Sequence, residues 1–213
     1  MSDVMISEFI DIFVHLDKHL ANIVQLWGPW IYALLFLVIF VETGLIVMPF
    51  LPGDSLLFVA GAIAAVGGMS LDTLIVTLTF AAILGDTVNY TIGGAVGPRA
   101  FRWESSKFFS KEGFDKTYLF FERYGPITIV VGRFLPLIRT FAPFVAGVVS
   151  MRYRRFLIYN VVGAVLWVAG LTTLGYLLGN LGWVKENFSF VALAMIIIPG
   201  LAALWLMFRK RSR

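Results

Sequence analysis

Four charged side chains stand inside long apolar runs of this sequence: Glu42, Asp54, Arg133 and Arg139. Charges are costly in hydrocarbon, so such residues pair with one another or serve a binding site. An arginine binds phosphate through parallel hydrogen bonds, and a carboxylate can hold the arginine when phosphate is absent. We therefore predict a site where Arg133 and Arg139 bind an anionic phosphate headgroup, while Glu42 and Asp54 take up protons.

Several alternatives for these four charges stay open from the sequence. Glu42 could face either Arg133 or Arg139, and the four charges could form a quartet that only fixes the fold. A proton-coupled antiporter of cations or drugs would use the two carboxylates as binding acids, although a cation gains nothing from two nearby arginines. A purely structural or chaperone-like role is a further possibility.

The available residue types argue against catalysis and metal binding. The chain has no Cys, and its two histidines, His15 and His19, lie near the amino terminus. Their i, i+4 spacing could bind a metal, but no third ligand stands nearby. No nucleophile stands beside a base in the runs that carry the four charges. We expect a protein that is not an enzyme and has no metal or other cofactor.

The first apolar run breaks at two prolines and a glycine. Before the break, about 19 residues could form roughly 28 Å of helix. After it, about 12 residues make roughly 18 Å, which is too short to cross a ~30 Å hydrocarbon core. The pattern predicts a re-entrant hairpin over residues 29–68. The residues of the break that would support the site are Pro49, Pro52 and Gly53.

The second apolar run, residues 125–150, repeats this pattern with basic instead of acidic residues. The stretch from Gly132 to Pro143, with Pro136 inside it, divides the run into two arms of roughly ten residues, and neither could span. We predict a second re-entrant hairpin here, with both prolines supporting the site. Broken helices of this kind build mid-membrane binding sites in transporters.

Composition and hydropathy indicate an all-α integral membrane protein. Hydrophobic residues make up 59% of the chain and charged residues 14%, and the mean hydropathy is +0.87. These values lie far from those of an average soluble domain, so we expect one membrane domain over residues 1–213. Its other predicted segments are an amphipathic interfacial helix over 1–28, a cytoplasmic interfacial loop over 97–124, and transmembrane helices over 70–96, 156–179 and 188–208.

The helix predicted over residues 70–96 carries polar side chains on one face. Asp86, Asn89 and Tyr90 stand at positions i, i+3 and i+4. A carboxylate inside the membrane favours a supporting role in the site. Gly85 and Gly93, four residues on either side of Asn89, favour a helix-packing contact just as strongly.

The basic residues predict the orientation in the membrane. They concentrate in residues 99–123, 152–155 and 209–213, which places all three segments in the cytoplasm. The amino terminus is then outside, the carboxyl terminus is cytoplasmic, and the two hairpins enter from opposite sides. Two such units form an inverted repeat. Nothing in the charge pattern indicates nucleic-acid binding.

Three motifs of this sequence resemble those of the bacterial DedA family, also called the VTT or SNARE-associated domain. The motifs are Glu42-Thr43-Gly44 with Pro49 to Asp54, Gly85-Asp86 with Asn89-Tyr90, and the stretch from Gly132 to Pro143.

The resemblance covers nearly the whole chain and implies a lipid translocator of the inner membrane, with undecaprenyl phosphate or phospholipids as substrates and coupling to the proton gradient. Its implied partners are membrane lipids and protons. Which lipid is moved, and whether the chain forms a homo-oligomer, stay open. The residues that the family treats as essential correspond to Glu42, Asp54, Arg133 and Arg139.

Overall fold

A computed structural model describes residues 28–45, 53–102 and 110–182 of the chain. The elements in these ranges are all helical, which confirms the predicted class. Pro49 and Pro52, the helix predicted over 1–28 with its two histidines, and the span predicted over 188–208 lie outside them, apart from Gly28. The α-helices are α1 Trp30–Gly44, α2 Gly53–Ala65, α3 Leu71–Val96, α4 Lys111–Tyr124, α5 Ile127–Gly132, α6 Pro136–Val148 and α7 Tyr153–Gly179.

Two helices in the described part of the chain are long and apolar enough to cross a membrane. One is α3 together with its 3-10 extension, Leu71–Phe101, with 31 residues, and the other is α7, with 27 residues. The other apolar helices are shorter: α1 has 15 residues, and α2 and α6 have 13 each. At 1.5 Å per residue those lengths are about 20–23 Å, less than a ~30 Å hydrocarbon core.

The second broken run divides differently from the prediction. Its arms are unequal, because α5 has 6 residues and α6 has 13, and Pro143 lies inside α6 instead of ending an arm. Pro136 stands in the first turn of α6, where a helix needs no backbone N–H and the fixed φ of proline suits the start. Pro143 removes only the hydrogen bond that the Arg139 carbonyl would accept four residues earlier. The prediction of two arms of roughly ten residues was wrong.

One compact unit comprises residues up to 33, 52–74 and from 171 onward. In it, α2 packs against the last turns of α7 through glycines. A Cβ at Gly61 would overlap the Thr172 carbonyl oxygen, and a Cβ at Gly175 would overlap the Phe58 carbonyl oxygen. Only glycine permits such a close approach of two helix backbones. The Ser70 N–H, just before α3, donates to the Tyr32 hydroxyl at 2.8 Å.

The other compact unit comprises residues 34–51 and 75–170, and α6 is its central helix. Two glycines bring α3 and α6 together, because a Cβ at Gly93 or Gly147 would overlap a carbonyl oxygen of the opposite helix. This close packing fixes the position of α6 against α3. The buried residues of the main apolar cluster are Ala100, Phe114, Phe141, Phe144, Val145 and Val148.

Helix α4, which lies within the stretch predicted as an interfacial loop, is amphipathic. Ser110 caps it, because its Oγ accepts a hydrogen bond from the Gly113 N–H at 3.2 Å. The Phe114 side chain is buried, whereas Lys116 and Glu112 form an exposed pair at 2.7 Å on another face. Such a helix covers the apolar cluster with one face and leaves charges outside.

We expect Gly175→Ala to lower the free energy of unfolding by about 1–3 kcal/mol, the usual cost of overpacking, because the new methyl group would overlap the Phe58 carbonyl. Gly170→Ala on the same helix is the matched control, since nothing lies within 4 Å of its added Cβ. Its effect should stay within about 1 kcal/mol, in the stabilising direction. Denaturant unfolding in detergent micelles measures both, and equal stability of the two variants would contradict the packing described.

Candidate functional site

The first ion pair of the candidate site joins two helices. Glu42 lies in the last turn of α1, where its Oε1 accepts a hydrogen bond from Nη2 of Arg139 in the first turns of α6. The Glu42 side chain is buried, and the Arg139 side chain is 15% exposed. The structure therefore pairs Glu42 with Arg139, which the sequence left undecided.

The second ion pair is more deeply buried. Arg133, in the turn between α5 and α6, donates from Nη2 to Oδ2 of Asp86 on α3, and its side chain is only 3% exposed. The same nitrogen also donates to Oδ1 of Asn160 on α7 at 2.6 Å, so both of its protons are used. Asn160 in turn donates to the Ile83 carbonyl at 3.1 Å. Arg133 is thus held from α3 and α7.

The remaining nitrogens of Arg133 have unused donors. Nε and Nη1 are buried and make no hydrogen bond to any residue that the structure describes. Together they carry three N–H groups. Gly163 of α7 packs against this side chain, since a Cβ there would lie 3.0 Å from Nε. A buried donor without a partner is costly, so these groups favour an additional polar partner at this place.

Both arginines lie against one aromatic ring. The guanidinium carbon of Arg133 is 5.7 Å from the centre of the Trp167 ring, and that of Arg139 is 5.0 Å away. These distances fall within the range of cation–π attraction. Trp167 is 1% exposed, so the attraction acts where little solvent screens it.

Asn89 connects the backbones on either side of the Glu42–Arg139 pair. Its Nδ2 donates to the Thr43 carbonyl at 3.2 Å and to the Thr140 carbonyl at 3.1 Å. These two threonines directly follow the two members of the ion pair. Asn89 therefore fixes the separation of α1 and α6 where the pair forms.

Close backbone packing lets α1 reach this position. A Cβ at Gly85 would overlap Oγ1 of Thr43, and the ideal Cβ position of Gly44 is 3.4 Å from the Gly85 backbone. Gly85 stands directly before Asp86, so the same glycine contact brings the Glu42 and Asp86 helices together. The sequence left open whether this face of α3 supports the site or packs against other helices. Gly85 and Gly93 both pack closely against neighbouring helices, so the face does both.

The other predicted site residues lie at different places. Asp54 is an exposed residue in the first turn of α2, and it belongs to the other compact unit. Tyr90 donates its hydroxyl proton to the Met151 carbonyl and stacks on Phe156 with ring centres 4.3 Å apart. Of the predicted face of α3, Asp86 and Asn89 therefore join the charged cluster, while Tyr90 fixes the start of α7. Gly53, buried at the start of α2, also belongs to the other unit.

Asn160, Gly163 and Trp167 were missed by sequence reasoning. They stand at positions i, i+3 and i+7 of α7, which places them on one helix face. An amide inside an apolar span, followed at helical spacing by a glycine and a tryptophan, is the signal that could have identified them.

The electrostatics of this cluster permit exchange of one anion for another. Two guanidinium groups and two carboxylates form two ion pairs in a buried place, where their charges balance. Phosphate presents the same oxygen geometry to an arginine as a carboxylate does. The oxygens of a phosphate therefore match the donors that these guanidinium groups present to the carboxylates.

Comparison with known proteins gives consistent matches. The VTT domain family matches residues 51–177. Protein DedA of Escherichia coli K12 is 47% identical over 91% of this chain and 90% of its own length. Two inner membrane proteins of the same organism are more distant: YghB is 34% identical over 86% of this chain and 80% of its own, and YqjA is 36% identical over 70% and 68%.

No solved structure matches this chain. Asp86, Arg133, Arg139, Asn160 and Trp167 all fall inside the range that the VTT domain matches, whereas Glu42 precedes it. Because that domain covers more than half of the chain and the relatives align with most of it, this chain belongs to the DedA family of VTT-domain membrane proteins.

Proposed function

We propose that this protein moves a lipid with an anionic phosphate headgroup across the inner membrane and that protons drive the movement. The observation that carries the proposal is the Glu42–Arg139 ion pair, in which a buried carboxylate accepts a hydrogen bond from a partly exposed arginine. Family membership and the inner-membrane names of the relatives support the location.

The two arginines have different parts in this proposal. Arg139 is 15% exposed, so a headgroup phosphate reaches it and replaces Glu42. Arg133 is 3% exposed and bound to Asp86 and Asn160, so it stays in place. Its free Nε and Nη1 donors, which have no partner among the described residues, would then bind a further phosphate oxygen.

Proton coupling follows from competition for Arg139. A protonated Glu42 no longer attracts the guanidinium, so protonation releases Arg139 for the phosphate. Loss of the proton on the other side restores the ion pair and expels the headgroup. Asp54, exposed in the first turn of α2, is the second carboxylate that we propose to exchange protons.

The proposed membrane arrangement uses both short and long helices. The short helices α1 and α2, and α5 and α6, are the arms of two re-entrant hairpins, and these hairpins with the spans α3 and α7 form an inverted repeat. Exposed basic residues between α3 and the first turn of α7 support a cytoplasmic location for the end of α3 and the start of α7, with the amino terminus outside. These residues are Arg99, Lys116, Arg123, Arg152, Arg154 and Arg155.

The proposed substrate is undecaprenyl phosphate or a phospholipid. Either one presents a phosphate to an arginine, and moving it breaks no covalent bond. The protein then acts as a transporter and not as an enzyme, with lipids and protons as its partners and no cofactor.

We expect Arg139→Ala to slow lipid exchange about tenfold to a hundredfold, since a hydrogen bond to a charged group contributes about 1.5–3 kcal/mol. The measurement is leaflet exchange of labelled undecaprenyl phosphate or phosphatidylethanolamine in liposomes. Arg139→Lys is the matched variant: it keeps the charge but loses the fork, and should retain an intermediate rate.

Wild-type protein that folds but exchanges neither lipid would overturn the proposal. Gradient-driven flux of a cationic drug in the same liposomes would then favour the antiporter with Glu42 as a binding acid. The thermal unfolding of each variant in detergent provides the control for folding.

Glu42→Gln should make lipid exchange insensitive to a pH gradient, because a neutral amide cannot gain or lose the coupling proton. Exchange without a gradient should persist, since the amide holds Arg139 less tightly than a carboxylate does. The comparison is the ratio of exchange rates with and without a gradient of one pH unit. A variant that responds to the gradient as wild type does would exclude Glu42 from coupling.

Asp86→Leu should lower the free energy of unfolding by about 3–5 kcal/mol, because it leaves the buried Arg133 without its counter-charge. The double variant Asp86→Leu with Arg133→Met should recover most of that loss. Lys116→Ala, which breaks the exposed pair with Glu112, is the control and should cost about 1 kcal/mol or less. Denaturant unfolding in detergent checks all three; a double variant no more stable than the single one would contradict the pairing.

A further inference from the structure

Among the residues that the structure describes, Trp167 has the one aromatic ring that lies within cation–π distance of both arginines. Its ring centre lies 5.0 Å from the Arg139 guanidinium carbon and 5.7 Å from that of Arg133. The residue is buried in the middle of α7, and the amide of Asn160 two turns earlier binds Arg133. The same helix therefore contacts both arginines, through a directed hydrogen bond and through a ring.

Arg133 and Arg139 differ in how their guanidinium groups are held. Arg133 has a carboxylate and an amide on one nitrogen, and both bonds are directional. If Arg139 exchanges Glu42 for a phosphate, it passes through states in which its carboxylate bond is broken. A guanidinium released in a buried place would turn toward any other anion.

An aromatic ring can hold the Arg139 guanidinium during this exchange without competing with the phosphate. The attraction between a cation and a π face is electrostatic and depends weakly on the rotation of the guanidinium. It uses none of the N–H donors and does not neutralise the charge. A second carboxylate at this place would hold Arg139 as well, but it would compete with the phosphate.

We propose that Trp167 is a positioning residue that keeps the Arg139 guanidinium in place while its anionic partner changes from the Glu42 carboxylate to the headgroup phosphate. The inference rests on the proposed function, because the exchange of partners is part of it. Trp167 acts through Arg139 and does not itself bind lipid. Its contact with Arg133 sets the distance at which the two guanidinium groups are held.

Trp167→Leu should raise the lipid fraction that gives half-maximal exchange about tenfold, with a smaller change in the maximal rate, since desolvated cation–π contacts are at the strong end of their range. Trp167→Phe keeps a weaker π face and should raise it about threefold. Phe156→Leu is the matched control: this buried aromatic of α7 stacks on Tyr90, and its loss should leave the half-saturating fraction unchanged.

The liposomes contain phosphatidylcholine with increasing undecaprenyl phosphate, and the pH is equal on both sides. A Trp167→Leu curve that superimposes on wild type, or one that changes as Phe156→Leu does, would overturn the role of the ring. Lipid exchange by the wild type in that experiment would leave the proposed function intact, so the two failures are distinguishable.

Trp167 fluorescence gives a second readout that does not require transport. The other tryptophans, Trp27, Trp30, Trp103, Trp183 and Trp205, are changed to Phe, which leaves the ring beside the arginines as the sole indole. Addition of undecaprenyl phosphate in phosphatidylcholine vesicles should change its emission in a saturable way, and Arg139→Leu should abolish the change. Phosphatidylcholine alone, and inorganic phosphate at equal concentration, distinguish a lipid headgroup from free phosphate.

The fluorescence titration decides the inference even if the wild type moves neither lipid. A saturable change that requires Arg139 supports the contact between the ring and an anion-binding arginine. An emission that does not respond to either phosphate, or responds equally in Arg139→Leu, would overturn it.

Discussion

A guanidinium group cannot remain buried among apolar helices without an anion, and this constraint organises the larger compact unit. Arg133 and Arg139 each find one carboxylate, and those carboxylates come from different helices, Asp86 from α3 and Glu42 from α1. The ion pairs therefore fix the rotation of both helices about their axes. If α1 or α3 were rotated by a quarter turn about its axis, its carboxylate would no longer reach the arginine.

Apolar packing brings the charges within reach of one another. Gly85, Gly93 and Gly147 remove the side chains that would separate the backbones, and Asn89 then ties α1 to α6 through two carbonyls beside the ion pair. Small residues allow the helices to approach closely, and this close approach brings the charged side chains together in pairs. Ion pairs alone, whose desolvation cost offsets much of their attraction, would not supply this precision.

The sequence predicted the helical class and two long apolar helices, over residues 70–96 and 156–179, and it placed charged residues in the broken apolar runs, because apolar length and charge are local features. Partner choice was not predictable, since it depends on the register and rotation of helices far apart in the chain. Asp86 shows the difference: it was assigned a supporting part, yet it is the partner of Arg133. Trp167 was missed because a tryptophan in an apolar helix usually means only packing, and its contact with two arginines depends on a distant segment of the chain.

The environments of the two arginines differ in a way that bears on exchange. Arg133 is bound by two side chains through one nitrogen and is almost fully buried, so any anion that meets its other nitrogens is added to Asp86 and does not replace it. Arg139 is more exposed, and its charge is shared between a carboxylate and a π face. Under the proposed function, an anion arriving there competes with Glu42, whereas the contact with the ring uses none of the N–H donors of Arg139. In the proposed site, a headgroup phosphate therefore replaces a carboxylate at Arg139 and is added beside a carboxylate at Arg133, so only the Arg139 ion pair has to break and re-form in each cycle.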